Sequence, residues 1–415
     1  MKPVLLRLAG FTILPLLALV LPFLLLPVIA RVVGAPGWSS ITAGQAIGVF
    51  AATFILWSWN IAGPVAVARS RTPQERAATY SASMRSRLII ASVVLPVMSV
   101  LVIFVAHDGY RLDAVTMAWA TALTGFSPAW FGIGIGQPRI LAIFDTLPRF
   151  LAALLSAPLI LATGQIWIYG VLSVVATVSA LTSFQRRFGE KGSWFPKSPV
   201  AAYRELIAQA GTAGVNLTGS AYASSPVPIA TSTVPTAADT AGFASADSIY
   251  RLGLFSIVAL GNTFQGWALE HDALNPKRRH AIALTSHILL GVGGGLVLAL
   301  LCPWISSVMF GEDVKADHLT SLFYGLSFLF LSASTPFIRN VLIPAGRQNT
   351  VLRWTAVSAV IGISLMVASG LSSNVPGVAL GMAVSEAVLF VGLLIPAAGL
   401  LRAMPGESQK VGSTL

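Results

Sequence analysis

Long apolar stretches alternate with short polar gaps along almost the whole chain. A helix of about 20 apolar residues is long enough to cross the hydrocarbon core of a bilayer. The pattern therefore predicts an all-α integral membrane protein with about twelve transmembrane helices. The predicted spans are 8–31, 40–68, 88–106, 115–135, 148–163, 166–184, 206–234, 243–269, 281–308, 318–343, 354–371 and 377–401.

Basic residues are concentrated in every second gap between these spans. Of the 26 Lys and Arg residues, 21 lie in one alternating set of gaps, and the opposite gaps contain only Arg111 and Lys315. Lys and Arg are retained on the cytoplasmic side of a membrane. The distribution therefore predicts that both termini are cytoplasmic, which requires an even number of spans.

Composition supports a membrane protein and excludes several other classes. The chain is 55% hydrophobic and 10% charged, with a net charge of +11, whereas soluble domains carry about 25% charged residues. We attribute the positive charge to basic loops that meet anionic headgroups, and we predict no nucleic-acid partner. Cys302 is the only cysteine and the five histidines are scattered, so no disulfide, metal site or cofactor is predicted. No nucleophile–base motif indicates an enzyme.

The chain divides near its middle. A basic, proline-bearing segment at 191–205 separates a predicted six-helix lobe at 1–190 from a second at 206–403, and 404–415 is a predicted cytoplasmic tail. The lobes share a weak internal likeness, because in each half a Pro-aromatic motif in the fourth span is followed by a short basic turn and the fifth span. Parallel repeats of this kind are common in transporters.

Five ionisable residues lie within or at the edges of predicted spans, where each needs a physical reason. Arg251 lies about 12 Å below the outer boundary of the eighth span, and Asp247 lies four residues earlier on the same helical face. The two either neutralise each other or place a cation in a wet cavity. Arg31 and Arg339 lie near span ends, where snorkelling is the alternative to a cavity role. Glu386 is either a counter-charge or proton site, or an interhelical hydrogen-bonding group.

The seventh span is unusually polar. Its polar residues are Thr212, Asn216, Thr218, Ser220, Tyr222, Ser224, Ser225, Thr231, Ser232 and Thr233. Pro226 and Pro228 are expected to break the helix. Hydroxyl groups can bind helices together; we favour instead a kinked helix lining a hydrated cavity, with Asn60, Trp57 and Trp59 as neighbours.

Three segments resemble a known family. The first span ends Leu26-Pro27-Val28-Ile29-Ala30-Arg31-Val32-Val33-Gly34, and the second ends Gly63-Pro64-Val65-Ala66-Val67-Ala68-Arg69. The eighth opens with Thr240-Ala241-Gly242-Phe243-Ala244-Ser245-Ala246-Asp247-Ser248-Ile249-Tyr250-Arg251. Together with the span pattern, these resemble the polysaccharide and O-antigen flippases of the multidrug/oligosaccharidyl-lipid/polysaccharide (MOP) exporter superfamily.

The resemblance implies two six-helix lobes around a central cavity in the bacterial inner membrane. It also implies alternating-access transfer of a polyprenyl-pyrophosphate-linked oligosaccharide to the outer leaflet, with H⁺ or Na⁺ as coupling ion. The charged and polar residues singled out above are the candidate cavity residues, and by position Arg31 and Arg251 also match where the family places basic residues. The full set is Arg31, Arg251, Arg339, Asp247, Glu386, Asn60, Trp57, Trp59, Asn216, Thr218 and Tyr222. Two alternatives are a multidrug or organic-cation antiporter of the same superfamily, which needs an acidic cavity, and a membrane polysaccharide polymerase.

Overall fold

A computed structural model describes residues 2–190, 199–268 and 275–403. Within these ranges the regular secondary structure is entirely helical. The predicted tail 404–415 lies outside the described residues, as does the predicted linker up to residue 198. The remainder of that linker forms the start of a helix.

Two compact units divide the chain, Met1–Ser232 and Thr233–Leu415. The helices of the first unit are α1 (Lys2–Leu56), α2 (Trp59–Arg69), α3 (Pro73–Val105), α4 (Arg111–Ala122), α5 (Ala129–Gly134), α6 (Pro138–Leu141), α7 (Leu147–Thr163), α8 (Trp167–Phe188), α9 (Pro199–Ser224) and α10 (Pro226–Thr233). Those of the second are α11 (Ala237–Ala268), α12 (Pro276–Phe310), α13 (His318–Pro336), α14 (Gln348–Leu371) and α15 (Val375–Ala403). Along the chain, the boundary between the two units falls at the end of the seventh predicted span, whereas the boundary between the lobes predicted from the sequence precedes that span. The lobe boundaries stay a prediction.

All twelve predicted spans fall on helices, which confirms the all-α membrane fold. In the part of the chain that is described, nine helical stretches are long enough and apolar enough to cross a bilayer. Many of their apolar side chains are exposed, as expected of surfaces that face lipid.

The helices α3 and α12 are longer than a bilayer requires. α3 has 33 residues and α12 has 35, so each is roughly 50 Å long. The basic segment from Arg76 to Arg87, predicted as a gap, is therefore an extension of α3. Thr72 begins this helix, because its hydroxyl accepts a hydrogen bond from the Glu75 amide at 3.2 Å.

Several spans are broken at identifiable residues. The first two spans meet at Gly34, whose φ of 65° interrupts α1. Trp57 interrupts the second span with a φ of 56°. The seventh span breaks between Ser224 and Pro226, where the prolines predicted a break. A π-helix at Phe337–Leu342 ends the tenth span.

Gaps predicted to lie on one side of the membrane meet at one end of each unit. In the first unit, the His107 amide donates to Ser40 Oγ at 2.9 Å, and the Trp167 amide donates to Asp113 Oδ1 at 2.8 Å. In the second unit, the segments 238–242, 312–319 and 373–376 line one cavity of about 490 Å³. This grouping is what alternating gaps require of a bundle of spanning helices.

Candidate functional site

Polar groups join the second and seventh spans within the first unit. Thr53 Oγ1 and Ser220 Oγ are 2.8 Å apart, and Ser58 Oγ donates to Gln209 Oε1 at 2.7 Å. Asn216 Nδ2 lies 3.4 Å from Asn60 Oδ1. We call this set of contacts, together with the Trp57 contact described next, the 2/7 seam. It brings together three of the sequence-predicted residues: Trp57, Asn60 and Asn216.

The break at Trp57 belongs to this seam. A bulky residue in the left-handed region costs about 1–2 kcal/mol. The Trp57 indole Nε1 donates to the Leu206 carbonyl at 3.1 Å, which holds the break against α9. Asn60, immediately beyond the break, is exposed, so an amide group is left accessible where the second span changes direction.

Trp59 does not join the seam. Its side chain is buried, its indole Nε1 donates to Ser86 Oγ at 3.0 Å, and its ring lies 5.4 Å from that of Trp130. Trp130 in turn belongs to an aromatic cluster with Tyr80 and Phe131. Trp59 is therefore a core residue of the first unit.

The remaining predicted residues of the first unit are more accessible. Thr218 is exposed and donates to the Gly214 carbonyl of its own helix at 2.9 Å. Tyr222 is half-buried next to the break at Ser225, where its carbonyl accepts the Ser225 hydroxyl at 2.9 Å. Arg31 is exposed on α1, three residues before the Gly34 break.

In the second unit, Asp247 and Arg251 form an ion pair. Arg251 Nε lies 2.5 Å from Asp247 Oδ2, and the Tyr324 hydroxyl donates to Asp247 Oδ1 at 3.1 Å. The Asp247 side chain is 5% exposed, whereas that of Arg251 is 26% exposed. The Asp247 carboxylate is therefore enclosed by hydrogen-bond donors, and the Arg251 guanidinium is the more accessible member of the pair. The i,i+4 pairing follows from sequence spacing, but Tyr324 comes from α13 and was not predicted.

Arg339 lies in the π-helix that ends the tenth span. Its Nη2 donates to Asn262 Oδ1 on α11 at 2.6 Å. Asn262 is exposed and Arg339 is half-buried. Their contact is therefore the second place in this unit, after Arg251, where a guanidinium is accessible. Glu386 is buried, with 4% of its surface exposed, in the middle of α15.

One buried cation was not singled out from the sequence. Arg87 is fully buried on α3, although its position in a basic gap predicts a loop residue. It donates to Ser83 Oγ at 2.6 Å and to the carbonyls of Gly125 and Ser127, both at 3.3 Å. Those carbonyls flank the break between α4 and α5, so Arg87 satisfies backbone groups that a broken span leaves open.

Metal binding has no support in the described ranges. No group of three or more His, Cys, Asp or Glu side chains there is arranged to hold a metal ion.

No protein-family model matches the sequence, and no curated protein matches it significantly. Solved structures do match. An inward-facing multidrug resistance MATE transporter of the MOP superfamily has a TM-score of 0.64 at 15% identity, over 93% of this chain and 96% of that one. The lipid II flippase MurJ, in an inward closed conformation, has a TM-score of 0.66 at 11% identity, over 95% of this chain and 87% of that one.

This chain has the MATE/MurJ fold. A MOP superfamily transporter from Pyrococcus furiosus is also similar, with a TM-score of 0.50 at 12% identity over 96% of both chains, and it is described as having a binding pocket of reversed polarity. At such identities the MATE/MurJ fold says nothing of the ligand. The ligand class must therefore be argued from the polar groups of this chain.

The 2/7 seam can be tested in this MATE/MurJ-fold protein by cross-linking. We expect Asn60→Cys with Asn216→Cys to be joined efficiently by a short bifunctional thiol reagent in membranes, because their side-chain atoms lie 3.4 Å apart. Asn60→Cys with Thr218→Cys is the matched control, because two residues along a helix turn the side chain by about 200°. Mobility on a denaturing gel measures both. Equal cross-linking of the two pairs would contradict the seam.

Proposed function

We propose that this protein is a MOP-superfamily flippase. In this proposal it moves a polyprenyl-pyrophosphate-linked oligosaccharide from the cytoplasmic to the outer leaflet of the bacterial inner membrane, for surface polysaccharide synthesis. It acts by alternating access, without catalysing a reaction, and with both termini in the cytoplasm. H⁺ or Na⁺ is the proposed coupling ion, and the other partners are membrane lipids.

The single observation that carries the proposal is which member of the Asp247–Arg251 pair is accessible: the guanidinium and not the carboxylate. Both Asp247 oxygens accept hydrogen bonds, and the carboxylate is nearly covered, while the guanidinium is the more exposed partner. An organic cation needs an accessible acid, and a pyrophosphate needs an accessible guanidinium. The arrangement therefore favours an anionic ligand over a cationic one.

Accessible arginine side chains also suit the physical barrier to moving a pyrophosphate-linked lipid between leaflets. A pyrophosphate cannot enter hydrocarbon without a large desolvation cost, whereas the lipid tail can stay in the bilayer. Arg31, Arg251 and Arg339 are the proposed cationic contacts along the path. Each is at least partly accessible, so each can offer charge-assisted hydrogen bonds to phosphate oxygens.

The 2/7 seam is the proposed contact for the sugar. Sugars are bound by amide, hydroxyl and aromatic groups, and the seam presents Asn60, Asn216 and Trp57, with Thr218 and Tyr222 further along α9. Trp59 is left out of this set because it is buried in the aromatic core.

The second candidate is a cation-coupled drug antiporter, and one residue favours it. Glu386 is a buried acid within a span, which is the kind of group that binds a proton or cation in transporters. In the flippase proposal the same residue serves the coupling ion.

A reconstituted assay separates the two candidates. Purified protein in liposomes is given a fluorescent polyprenyl-pyrophosphate-linked oligosaccharide, and a membrane-impermeant quencher reports its transfer between leaflets. We expect protein-dependent transfer of this lipid and no proton-driven efflux of a fluorescent organic cation from the same liposomes. Cation efflux without lipid transfer would replace the flippase proposal by the antiporter.

A further inference from the structure

Another cavity lies within the first unit, and none of the 2/7 seam residues lines it. Its volume is about 600 Å³. It is formed by the beginning of α3, the chain that follows α5, and the end of α8. All three segments are predicted from their basic residues to lie on the cytoplasmic side. The cavity therefore opens at the level where lipid headgroups meet the cytoplasm.

Among the described residues, the charged groups that line this cavity are Arg76, Arg187 and Glu190. Two guanidinium groups against one carboxylate leave the lining positive. An anion is the ligand that this balance favours.

Arg76 has a donor with no protein acceptor. Its Nε is buried and makes no hydrogen bond to any described residue, and its Nη2 reaches only the Ser70 carbonyl at 3.4 Å. A buried guanidinium N–H without an acceptor is costly. Because this Nε is inaccessible, the N–H groups of the two Nη atoms are the ones that a ligand oxygen in the cavity lined by Arg76 would meet.

The floor of the cavity is apolar. Phe131 is buried and Phe188 is half-buried, and the guanidinium carbon of Arg187 lies 5.6 Å from the centre of the Phe188 ring. An apolar floor below a cationic rim suits an amphiphile better than an inorganic ion. Its polar head would meet the arginines while glycerol and the first acyl carbons cover the aromatic rings.

We infer that this cavity binds the phosphate headgroup of an anionic membrane phospholipid. Arg76 and Arg187 hold the phosphate oxygens, and Glu190 opposes binding. This lipid is a resident of the cytoplasmic leaflet rather than the transported molecule, so the inference does not rest on the proposed flippase activity.

Native mass spectrometry of the full-length protein with phosphatidylglycerol tests the inference. We expect Arg76→Gln with Arg187→Gln to weaken retention of one lipid molecule at least tenfold, and Arg76→Lys to weaken it less, because the charge remains. Glu190→Gln should strengthen retention. Arg186→Gln, a change in the exposed neighbour of Arg187 that does not line the cavity, should leave it unchanged.

Two results would overturn the inference. One is unchanged lipid retention in the Arg76→Gln, Arg187→Gln protein, with its thermal transition in lipid-free detergent showing that it is folded. The other is displacement of the lipid by millimolar inorganic phosphate that itself binds the wild-type protein and not the double variant, which would assign the cavity to free phosphate. Loss of lipid with no binding of free phosphate supports the headgroup.

Discussion

The combined change Arg251→Gln and Asp247→Asn is expected to lower the rate of lipid transfer at least tenfold while the protein remains folded. The pair is removed as a unit, so no buried charge is left without a partner. Arg251→Gln alone should instead destabilise the protein, because it leaves the buried Asp247 carboxylate without its charge partner; an uncompensated buried charge costs up to about 3–5 kcal/mol. Transfer in liposomes and the thermal unfolding temperature in detergent measure the two effects separately.

The chain contains a matched control for this experiment. Arg149 and Asp145 form another i,i+4 pair, with an N···O distance of 2.7 Å and side-chain exposures of 25% and 14%. Arg149→Gln with Asp145→Asn removes the same charges at the same spacing outside the proposed path. We expect transfer close to wild type. Equal losses in the two double variants, or full transfer after the Asp247/Arg251 change, would remove Arg251 from the proposed site.

Arg87→Met is expected to have the largest effect on stability. The substitution leaves the Gly125 and Ser127 carbonyls without their guanidinium donor in a fully buried position. It also removes a cation that lies 5.9 Å from the Phe126 ring and 5.8 Å from the Trp130 ring. Leaving buried polar groups unsatisfied costs about 1–3 kcal/mol each, so we expect a clear fall in the unfolding temperature and in the monodisperse yield.

Two further variants make the Arg87 result specific. Arg87→Lys should recover only part of the stability, because a single ammonium group does not reproduce the guanidinium fork that reaches two carbonyls and Ser83. Arg71→Met alters an exposed arginine that precedes the same helix and should unfold like the wild-type protein. If Arg87→Met also unfolds like the wild type, Arg87 does not support the break between α4 and α5.

The helices were predictable because their signals are local. Apolar runs, basic gaps and the prolines of the seventh span are read residue by residue. Helices lie at all twelve predicted span positions, nine described stretches are long and apolar enough to cross a bilayer, and the break before Pro226 is present. The Asp247–Arg251 pair was predictable for the same reason, since residues four apart share a helical face. Tyr324, the third member of that cluster, lies 77 positions from Asp247 and leaves no trace in the local pattern.

The predicted position of Trp59 shows where local signals fail. A helical face can be followed along a span only while the helix is continuous, and the left-handed residue Trp57 interrupts it. The direction in which successive side chains point is reset at that residue. Trp57 and Asn60 therefore contact α9, while Trp59 packs against Trp130. Arg87 was misplaced for a related reason: a basic segment indicates a membrane side, but it does not show that α3 continues through it.

The 2/7 seam has a consequence for biosynthesis. The seventh segment is too polar to be stable alone among lipid tails, and the groups that satisfy Gln209, Asn216 and Ser220 belong to the second span. The second span leaves the ribosome well over a hundred residues earlier, so it is already in the bilayer when the seventh segment emerges. Insertion of the seventh segment should therefore depend on its earlier partner. A chain that keeps the second span but carries Thr53→Ala, Ser58→Ala and Asn60→Ala should leave the seventh segment outside the membrane, with every later span inverted.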